Sequence, residues 1–413
     1  MEPVILHCDL NAFFVSVACL DNPTIKNLPV AVCGSIQERH GIVLAKNAAA
    51  AACNIKTGEV IWQARQKCPE LVTVPPNYNR YKTVSQAARS IYGDFTDIVE
   101  PFGIDECWLD VGASAMLFGD GEHIANKISR RIKRELGVTI SVGVSFNKVF
   151  AKFGSDYKKP DAVTVIDRQS VKDIIWPQRV NQLIGIGPST VRRLADMGIF
   201  TVGDLALCDP NALRLRFGKI GDQLYKIANG SSNEVNFGFH STAAPKSIGR
   251  SVTCVKDVSN IQMLFNVLIV LAEDVARQLR QKGLYAGGVV LHVRDCNLNV
   301  KEFSEKLARP IRLSRDITDK ALDLFVKNCD FTYPFRSVGV RATYLTSEPD
   351  GWQTDIFSDI KKDIRKDALE AKMFDIRNRF GEKSIMRCCV LSEDDRLCPD
   401  YEKGGKPCSF GYI

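Results

Sequence analysis

Short apolar runs and longer amphipathic stretches alternate along the first part of the chain. Apolar runs bounded by turn residues predict strands, and apolar residues that recur every three or four positions predict helices. The predicted strands are residues 4–8, 28–33, 41–46, 98–102, 106–111, 139–145 and 163–166. The predicted helices are residues 11–20, 48–52, 80–94, 121–136 and 148–157. Strands interleaved with helices in this way favour an α/β layer structure.

The pattern changes twice further along the chain. From residue 180 onward, short helical segments are separated by glycines. From about residue 241, the pattern predicts strand 247–256, helix 260–282 and strand 288–294, followed by strand 301–308, helix 316–328 and strand 337–344. The order β-α-β therefore occurs twice, which predicts a sheet covered by two helices. A last, charged helix is predicted over residues 359–379.

Length and composition are those of a multidomain globular protein. The chain has 413 residues, of which 45% are hydrophobic and 25% are charged. These values exclude a disordered or collagen-like chain. Because single cores stop growing at roughly 250–300 residues, the length predicts several domains.

The net charge of +7 is unevenly distributed. Residues 171–349 carry 24 Lys and Arg against 17 Asp and Glu, whereas residues 1–170 carry 19 against 18 and residues 350–413 carry 12 against 13. The basic middle segment is expected to face an anionic partner, with phosphate as the first candidate. A solvated surface with a chance excess of cations is the alternative.

Neither export nor a membrane span is expected from the sequence. The first residues lack a basic segment followed by a long apolar one, so we expect a cytoplasmic protein. The longest apolar run, residues 263–272, is shorter than a span and is interrupted by Asn266. Disulfides are not expected among the 14 cysteines. The tail cysteines Cys388, Cys389, Cys398 and Cys408 lack paired spacing and a histidine, which disfavours zinc.

Three acidic residues lie where predicted strands begin or end. Asp9 follows the first strand, and Asp105 and Glu106 stand at the start of a later one. Carboxylates from neighbouring strands are ligands that Mg²⁺ prefers. Two such ions about 3.5–4 Å apart stabilise the attacking and leaving oxygens of phosphoryl transfer. Ordinary solvated or capping acids are the alternative for each residue taken singly.

Three segments together resemble the signature motifs of one enzyme family. Residues 7–17 read HCDLNAFFVSV, residues 100–111 read EPFGIDECWLDV, and residues 145–160 begin SFNKVFAK and end DYKKP. In order and spacing, these segments resemble the motifs of the Y-family DNA polymerases, nearest to their bacterial members. The resemblance extends from residue 1 to about residue 345.

The resemblance implies a nucleotidyl-transfer site. It implies two Mg²⁺ ions held by Asp9, Asp105 and Glu106, with the carbonyl of Leu10 as a further ligand. Phe14 matches the aromatic steric gate that excludes ribonucleotides, and Phe13 precedes it beside the nucleotide. Lys159 matches a lysine that contacts the incoming triphosphate.

Two departures from the family pattern concern the nucleotide. The family's triphosphate-binding Tyr and Arg fall at Ala48 and Ala51, neither of which can donate a hydrogen bond. Lys46 or Asn47 is the expected substitute, and weakened triphosphate binding or engineered alanines are the alternatives. The serine of the family's second motif is replaced by Gly103.

The resemblance also implies a domain organisation. The expected fold class is a multidomain α/β (α+β) right-hand polymerase. Its parts would be a ferredoxin-like palm (residues 1–11 and 76–167), small fingers (12–75), a helical thumb (168–240), a little finger with the duplicated β-α-β unit (241–345) and a tail (346–413). The thumb would hold a helix-hairpin-helix at about residues 180–207.

Candidate DNA contacts follow from these domains. Glycines at a helix N-terminus let backbone N–H groups approach a phosphate, which singles out Gly185, Gly187 and Ser189. Four cations on the predicted strands of the basic domain are the other candidates: Lys246, Arg250, Arg294 and Arg341. A solvated surface is the alternative for each cation.

One short segment of the tail resembles a docking peptide. Residues 353–357, QTDIF, are similar to the peptide that binds the bacterial sliding clamp, with Gln353, Asp355, Ile356 and Phe357 as the contacts. The apolar pair would fill a pocket on the clamp, as in other short-anchor modes.

The sequence therefore predicts a DNA-directed DNA polymerase that adds a deoxynucleotide to a primer 3′-hydroxyl. We expect low-fidelity translesion synthesis without proofreading, by a monomer that binds primer-template DNA, a deoxynucleoside triphosphate and the clamp. A catalytically weakened homologue that only binds DNA and the clamp is the alternative. A nucleotide cyclase with a related palm is disfavoured, since it has no need of a basic DNA-binding domain.

Overall fold

The computed structural model describes residues 3–37, 39, 41–231, 245–347, 360–381 and 384–390. The chain forms two compact units, each with its own core. The first unit comprises Met1–Gly34 and Ile42–Thr242, and the second comprises Ser35–Gly41 and Ala243–Ile413.

The first unit is built from eight described strands and twelve described α-helices. The strands are β1 (Ile5–Leu10), β2 (Val30–Cys33), β3 (Val43–Lys46), β4 (Val72–Val74), β5 (Val99–Pro101), β6 (Glu106–Asp110), β7 (Ile140–Ser145) and β8 (Val163–Ile166). The helices are α1 (Phe13–Asp21), α2 (Ala48–Ala52), α3 (Ile61–Lys67), α4 (Tyr78–Gly93), α5 (Ala115–Phe118), α6 (Gly121–Leu136), α7 (Lys148–Tyr157), α8 (Val171–Ile174), α9 (Pro188–Ala195), α10 (Val202–Leu207), α11 (Pro210–Phe217) and α12 (Lys219–Ala228).

A five-stranded sheet forms the centre of the first unit. Its strand order is β5-β6-β1-β7-β8, with β7 and β8 parallel and the other pairs antiparallel. All six residues of β1 are buried, because helices cover both faces of the sheet. Leu6, Cys8 and Leu10 enter a core shared with α4 and α6. The alternate residues of β1 therefore face α7 on the opposite side.

Gly143 allows α7 to lie directly on the sheet. It pairs with His7 in the ladder between β1 and β7. A Cβ at this position would lie 1.9 Å from the carbonyl oxygen of Ala151 and 2.5 Å from the amide nitrogen of Ser155. Only a residue without a side chain fits under this turn of α7. The close approach brings the side chains of α7 within reach of β1.

Two smaller parts complete the first unit. A three-stranded sheet of order β3-β2-β4 packs with α2 and α3 around its own apolar cluster. Helices α8 to α12 share a core with the outer side of α7, through Phe150 and Phe153 among others. Within the predicted helix-hairpin-helix, Val180–Gln182 is a 3₁₀ turn, followed by α9 and α10.

The second unit is an antiparallel sheet with helices on one face. Its strands β9 (Ser247–Val258), β10 (Leu284–Asp295), β11 (Val300–Ile311) and β12 (Phe335–Ser347) have the order β11-β10-β12-β9. Helices α13 (Ile261–Gln281) and α14 (Ser314–Asn328) pack on one face, where alternate strand residues form the core. The other face is free of helices in the part of the chain that the structure describes. The predicted repetition of β-α-β is confirmed by this element order.

Helix α15 (Ile360–Phe380) attaches to the second unit mainly through charged side chains. Asp367 pairs with Arg280 and Arg312, each at 2.7 Å. The buried carboxylate of Glu370 accepts hydrogen bonds from the backbone N–H of Ser314 at the start of α14. It thereby caps a helix terminus that its own residues leave open.

Most predicted elements agree with the structure to within a few residues at each end. The charged helix predicted over 359–379 is α15, and the strand predicted over 163–166 is β8. Helix α3 and strand β4 were not predicted, because each is short and half-exposed and its apolar positions follow neither period clearly. Among the described residues, no helix is both long and apolar enough to cross a membrane.

Replacing Gly143 by alanine is expected to destabilise the first unit, because the new methyl group would overlap the backbone of α7. Overpacking of this kind costs about 1–3 kcal/mol or more. The measurement is urea unfolding followed by tryptophan fluorescence, since Trp62, Trp108 and Trp176 all lie in this unit. Gly93→Ala is the matched control, because nothing lies within 4 Å of its added Cβ. Equal unfolding midpoints for the two variants would contradict the packing described for α7.

Candidate active site

The ladder between β1 and β6 places two of the three predicted carboxylates together. Asp9 pairs with Glu106, and paired residues project to the same face of a sheet. Asp105 immediately precedes β6, and its carbonyl oxygen accepts a 3.1 Å hydrogen bond from the N–H of Leu10. Arg89 of α4 donates to the carbonyl of Gly103 at 2.6 Å and so holds the turn before Asp105. The three predicted acids therefore stand at one end of the sheet.

Two lysines, one in the middle of α7 and one just after its end, neutralise part of this charge. Lys152 lies 3.2 Å from Asp9 and 3.0 Å from Glu106. Lys159 lies 2.6 Å from Asp9 and 2.7 Å from Asp156. The side chain of Lys152 is 15% exposed and that of Lys159 is 34% exposed, so Lys159 is the more accessible of the two.

The carboxylates titrate very differently because their surroundings differ. Burial, the charge of Asp9 and the charge of Glu106 raise the pKa of Asp105 from 3.8 to about 6. Burial also acts to raise the pKa of Glu106, but contacts with His7 and Lys152 outweigh it and lower that pKa to about 2. The site thus holds one carboxyl group that resists ionisation beside its neighbours.

The pKa values of the neighbouring basic groups are also shifted, by burial and by the charges of the acids. Burial acts to lower the pKa of Lys152, but the charges of Glu106 and Asp9 raise it overall. The pKa of Lys159 is raised in the same way by Asp9 and Asp156 against the effect of burial. Burial is the main cause of the lowered pKa of His7. Both lysines therefore remain cationic beside the acids.

The residues of this cluster fit a divalent cation. Ligand atoms of His7, Asp9 and Glu106 all lie within 4.8 Å of one another. Carboxylate oxygens are ligands of Mg²⁺ and Mn²⁺, and Leu10, whose carbonyl was predicted as a further ligand, ends β1 next to them. A cation would offset the repulsion that raises the pKa of Asp105.

Phe13 and Phe14 occupy different environments at the start of α1. Phe13 is buried in the core beneath the sheet. Phe14 is half-buried, and its ring stacks on that of Tyr81 with centroids 4.2 Å apart and planes within 9°. Tyr78 meets the Phe14 ring edge-on at 5.9 Å. These tyrosines of α4 fix the orientation of the Phe14 ring.

The predicted substitutes for the missing triphosphate contacts differ in their availability. Ala48 and Ala51 are exposed on α2, and neither side chain has a hydrogen-bond donor for phosphate. The Asn47 side chain caps α2 through Ala50 N, accepts from Val30 N and donates to the Leu28 carbonyl. The Lys46 ammonium has only a 3.4 Å contact with Thr57 among the described residues. Lys46 is therefore the more available of the two.

The predicted DNA contacts of the first unit cluster before α9. Gly185 has a positive φ of 87°, a conformation that favours glycine. Gly187 is the N-cap of α9, and Ser189 lies exposed in its first turn. All three residues are exposed.

The four predicted cations of the second unit do not share one face. Arg341 pairs with Val290 and Arg294 pairs with Ser337 on the helix-free face. Lys246 and Arg341 line one depression there together with Glu302 and Tyr344. Arg250 instead pairs with the core residue Val340 and contacts Asp274 of α13, so it lies on the helix-covered face. Alternation along the strand indicates this face, because Arg250 has the same parity as the buried residues Ile248, Val252 and Cys254.

Two predictions fall partly or wholly outside the described residues. The docking peptide with Gln353, Asp355, Ile356 and Phe357 lies entirely outside them. Of the tail cysteines, Cys388 and Cys389 are described and free, whereas Cys398 and Cys408 are not described.

Sequence reasoning missed two side chains of this site. His7 contacts Glu106 and Ser155, and Lys152 contacts two of the acids. The available signal was spacing, because His7 is two residues from Asp9 on one strand and so shares its face. Ser155 carried no such signal, since its contact depends on how closely α7 approaches the sheet.

Comparisons with known proteins give a consistent result. A model described as the impB/mucB/samB family matches residues 8–156, and the model of that family's C-terminal domain matches residues 245–356. The chain is 45% identical over 393 residues to DNA polymerase IV of Acetivibrio thermocellus, covering 95% of this chain and 98% of that protein. It is 33% identical over 399 residues to DNA polymerase IV 1 of Bacillus subtilis, covering 95% and 94%.

Solved structures resemble the fold as well. The structure is similar to a Y-family DNA polymerase chimera of Dbh with a TM-score of 0.73 and 24% identity, covering 84% of this chain and 100% of that one. A Dbh ternary complex matches with a TM-score of 0.57, at the same identity and coverage. At this identity the likeness concerns the fold alone, and it confirms the predicted fold class.

The raised pKa of Asp105 predicts a pH-dependent stability of the cation-free protein. Between pH 3.8 and about 6 the carboxyl is ionised in the unfolded chain but protonated in the folded one, so stability falls as pH rises. Relative to Asp105→Asn, the wild type should lose on the order of 3 kcal/mol across this window and little above it.

The measurement is urea unfolding of both proteins in chelator at a series of pH values. The Asp105→Asn variant is the control for the wild type, because the two proteins share every other titrating group. A stability difference that does not change with pH would contradict the electrostatics described for Asp105.

Proposed function

Because the chain belongs to the impB/mucB/samB family of Y-family DNA polymerases and is a DNA-directed DNA polymerase, we propose that Asp9, Asp105 and Glu106 are its catalytic carboxylates. The family predicted from three sequence motifs is thereby confirmed, and with it translesion synthesis on DNA with deoxynucleoside triphosphates. The reaction depends on divalent cations, as is general in this family.

The observation that carries the proposal is the convergence of three acids at one end of the sheet. Two strands and one turn bring them together, and burial, together with repulsion from Asp9 and Glu106, raises the pKa of Asp105. We propose that two Mg²⁺ ions bind there, with the Leu10 carbonyl as an additional ligand. Bound cations would activate the primer hydroxyl and stabilise the charge that develops on the phosphate.

The two lysines have different proposed roles. Lys159 is the more accessible and is shared between Asp9 and Asp156, so an arriving triphosphate competes with two carboxylates for its ammonium. Lys152 is more deeply buried and stays with Glu106 and Asp9. Lys159 is therefore the proposed triphosphate contact, and Lys152 balances charge within the site.

Phe14 is the proposed steric gate, and Phe13 supports it from the core. The stacking of Phe14 on Tyr81 gives its ring a fixed orientation, which discrimination against a 2′-hydroxyl requires. The exposed Ala48 and Ala51 offer no phosphate donor, so Lys46 is the proposed additional contact. Asn47, whose amide holds α2 and β2 in place, contributes through that structural role.

Contacts with DNA are proposed on both units. In the first unit, backbone N–H groups around Gly185, Gly187 and Ser189 would bind phosphates without reading sequence. In the second unit, the helix-free face with Lys246, Arg294 and Arg341 is the proposed surface for the DNA backbone. Such contacts supply affinity that depends strongly on salt.

We further propose a recruitment mode and a cellular setting. The tail peptide of residues 353–357 would bind a bacterial sliding clamp, and the polymerase would act as a monomer without proofreading. Because the named relatives are bacterial DNA polymerases, we propose that it works in the cytoplasm. The catalytically weakened alternative is not supported, since all three carboxylates are present and converge.

Single-nucleotide incorporation tests the catalytic assignment. Asp105→Ala should lower incorporation by about 1,000-fold or more, because the cations that stabilise the charge of the phosphoryl-transfer transition state would lose one of their ligands. Binding to primer-template, measured by fluorescence anisotropy, should stay close to wild type. In the same assay Phe14→Ala should incorporate ribonucleotides that the wild type rejects.

Two results would contradict the assignment. Wild-type incorporation by Asp105→Ala would remove this carboxylate from the chemistry. Absence of incorporation by the wild type at millimolar triphosphate, with DNA still bound, would instead favour the weakened homologue.

Neutralising the helix-free face should weaken DNA binding in a salt-dependent way. The triple variant Lys246→Ala, Arg294→Ala, Arg341→Ala removes up to three phosphate contacts, and each lost contact lowers the slope of log affinity against log salt by about one. Lys372→Ala is the matched control, because that exposed lysine lies on α15. Anisotropy titrations at several salt concentrations measure the slopes. An unchanged slope for the triple variant would mean that DNA lies elsewhere.

A further inference from the structure

His7 is fully buried and lies beside the acids, yet no role in the proposed chemistry belongs to it. Its side chain is 0% exposed. It stands two residues before Asp9 on β1, so both side chains face α7. In the ladder, Trp108 is opposite His7 and Glu106 is opposite Asp9, which makes Glu106 the diagonal neighbour of His7. Residues in diagonal positions are within reach of long side chains.

The imidazole ring has a polar neighbour near each nitrogen and an aromatic neighbour on one side. Its Nδ1 lies 2.8 Å from the hydroxyl oxygen of Ser155, and its Nε2 lies 3.2 Å from Oε2 of Glu106. The ring also meets Trp108 edge-on, with centroids 5.2 Å apart. Three neighbours from β6 and α7 therefore determine where the ring sits.

Ser155 reaches the ring because α7 lies directly on Gly143. Gly143 is the partner of His7 on β7, and it leaves the space above β7 to the backbone of α7. The Ser155 hydroxyl oxygen also lies 2.8 Å from the carbonyl oxygen of Lys152, and its single proton can be donated either to that carbonyl or to Nδ1 of His7. When the hydroxyl donates to Nδ1, the neutral ring carries its proton on Nε2 and can donate it to Glu106. A chain of contacts thus runs from the backbone of α7 through Ser155 and His7 to Glu106.

The two oxygens of Glu106 are used differently. Oε2 contacts both His7 and the ammonium of Lys152. Among the described residues, Oε1 has no such partner. The carboxylate is thereby turned so that one oxygen is held inward and the other is available.

We propose that His7, anchored by Ser155, is a positioning residue that fixes the carboxylate of Glu106 and presents its free oxygen to a divalent cation. The proposal rests on the metal site proposed above, and His7 itself does not touch the reacting atoms. Groups that orient a metal ligand from behind commonly change metal affinity by about 10–100-fold when removed. A histidine that only fills the core would leave metal affinity unchanged.

The test is Mn²⁺ binding to the full chain without DNA or nucleotide, measured from the free-ion signal in electron paramagnetic resonance. His7→Phe keeps a ring against Trp108 but removes both nitrogens, and it should weaken Mn²⁺ binding by about 10-fold or more. His7→Gln places an amide nitrogen close to the original Nε2 and should recover most of that loss. Ser155→Ala removes the anchor and should give an intermediate affinity.

His292→Phe is the matched control. His292 also contacts a glutamate, Glu302 at 3.3 Å, but on the sheet of the second unit. The Mn²⁺ affinity of the His292→Phe variant should equal that of the wild type. Thermal midpoints and circular dichroism are recorded for every variant, so that a folding defect is recognised as such.

The outcomes separate this proposal from the one on which it rests. If wild type and Asp9→Ala bind Mn²⁺ equally or not at all, the proposed metal site is wrong. If Asp9→Ala loses binding but His7→Phe binds as tightly as wild type, the positioning role alone is overturned. Equal losses for His7→Phe and His7→Gln, with both thermal midpoints lowered, would assign His7 a packing role and overturn the proposal as well.

Discussion

Repulsion among three carboxylates is the constraint around which the first unit is organised. Burial and, after it, the charges of Asp9 and Glu106 raise the pKa of Asp105 to about 6. A cluster of this kind costs free energy in any fold, and it persists only where surrounding structure holds it. Two lysines, a buried histidine and the hydrogen bond between Leu10 and Asp105 provide that support.

Helix α7 connects the cluster of charged side chains to the packing of the first unit. Its inner side supplies Lys152 and Ser155 to the cluster, whereas its outer side packs in the core of helices α8 to α12. Gly143 makes this double role possible, because it lets the helix backbone rest on β7. One glycine therefore influences the positions of Lys152, the buried His7 and helices α8 to α12.

The net charge differs between segments of the chain, and the basic segment includes residues of both units. The residues before position 171 are nearly neutral, with 19 Lys and Arg against 18 Asp and Glu. The excess of cations falls on residues 171–349, and within the second unit many of them are engaged in internal pairs, such as Arg250 with Asp274 and Arg280 with Asp367. Net charge therefore overstates the number of cations available to a partner.

Strong periodicity allowed most strands, most helices and the doubled β-α-β unit to be predicted from the sequence. The three ordered motifs allowed the carboxylates to be predicted. The sequence did not allow α3 or β4 to be predicted, since short half-exposed elements depend on tertiary packing. The face of Arg250 could have been predicted from alternation, because Arg250 has the same parity on its strand as the core residues Ile248, Val252 and Cys254, whereas its contact with Asp274 depends on how α13 packs. The contact of Ser155 with His7 depends on the distance between a helix and a sheet, which only the folded structure sets.

Anomalous X-ray scattering from a crystal of the protein with Mn²⁺, primer-template and a non-hydrolysable deoxynucleotide tests the central claim most directly. If the clustered carboxylates hold the catalytic cations, manganese peaks will lie in contact with Asp9, Asp105 and Glu106, with the Lys159 ammonium turned from Asp9 toward the triphosphate. Manganese bound elsewhere, with Lys152 and Lys159 still paired to the acids, would contradict it.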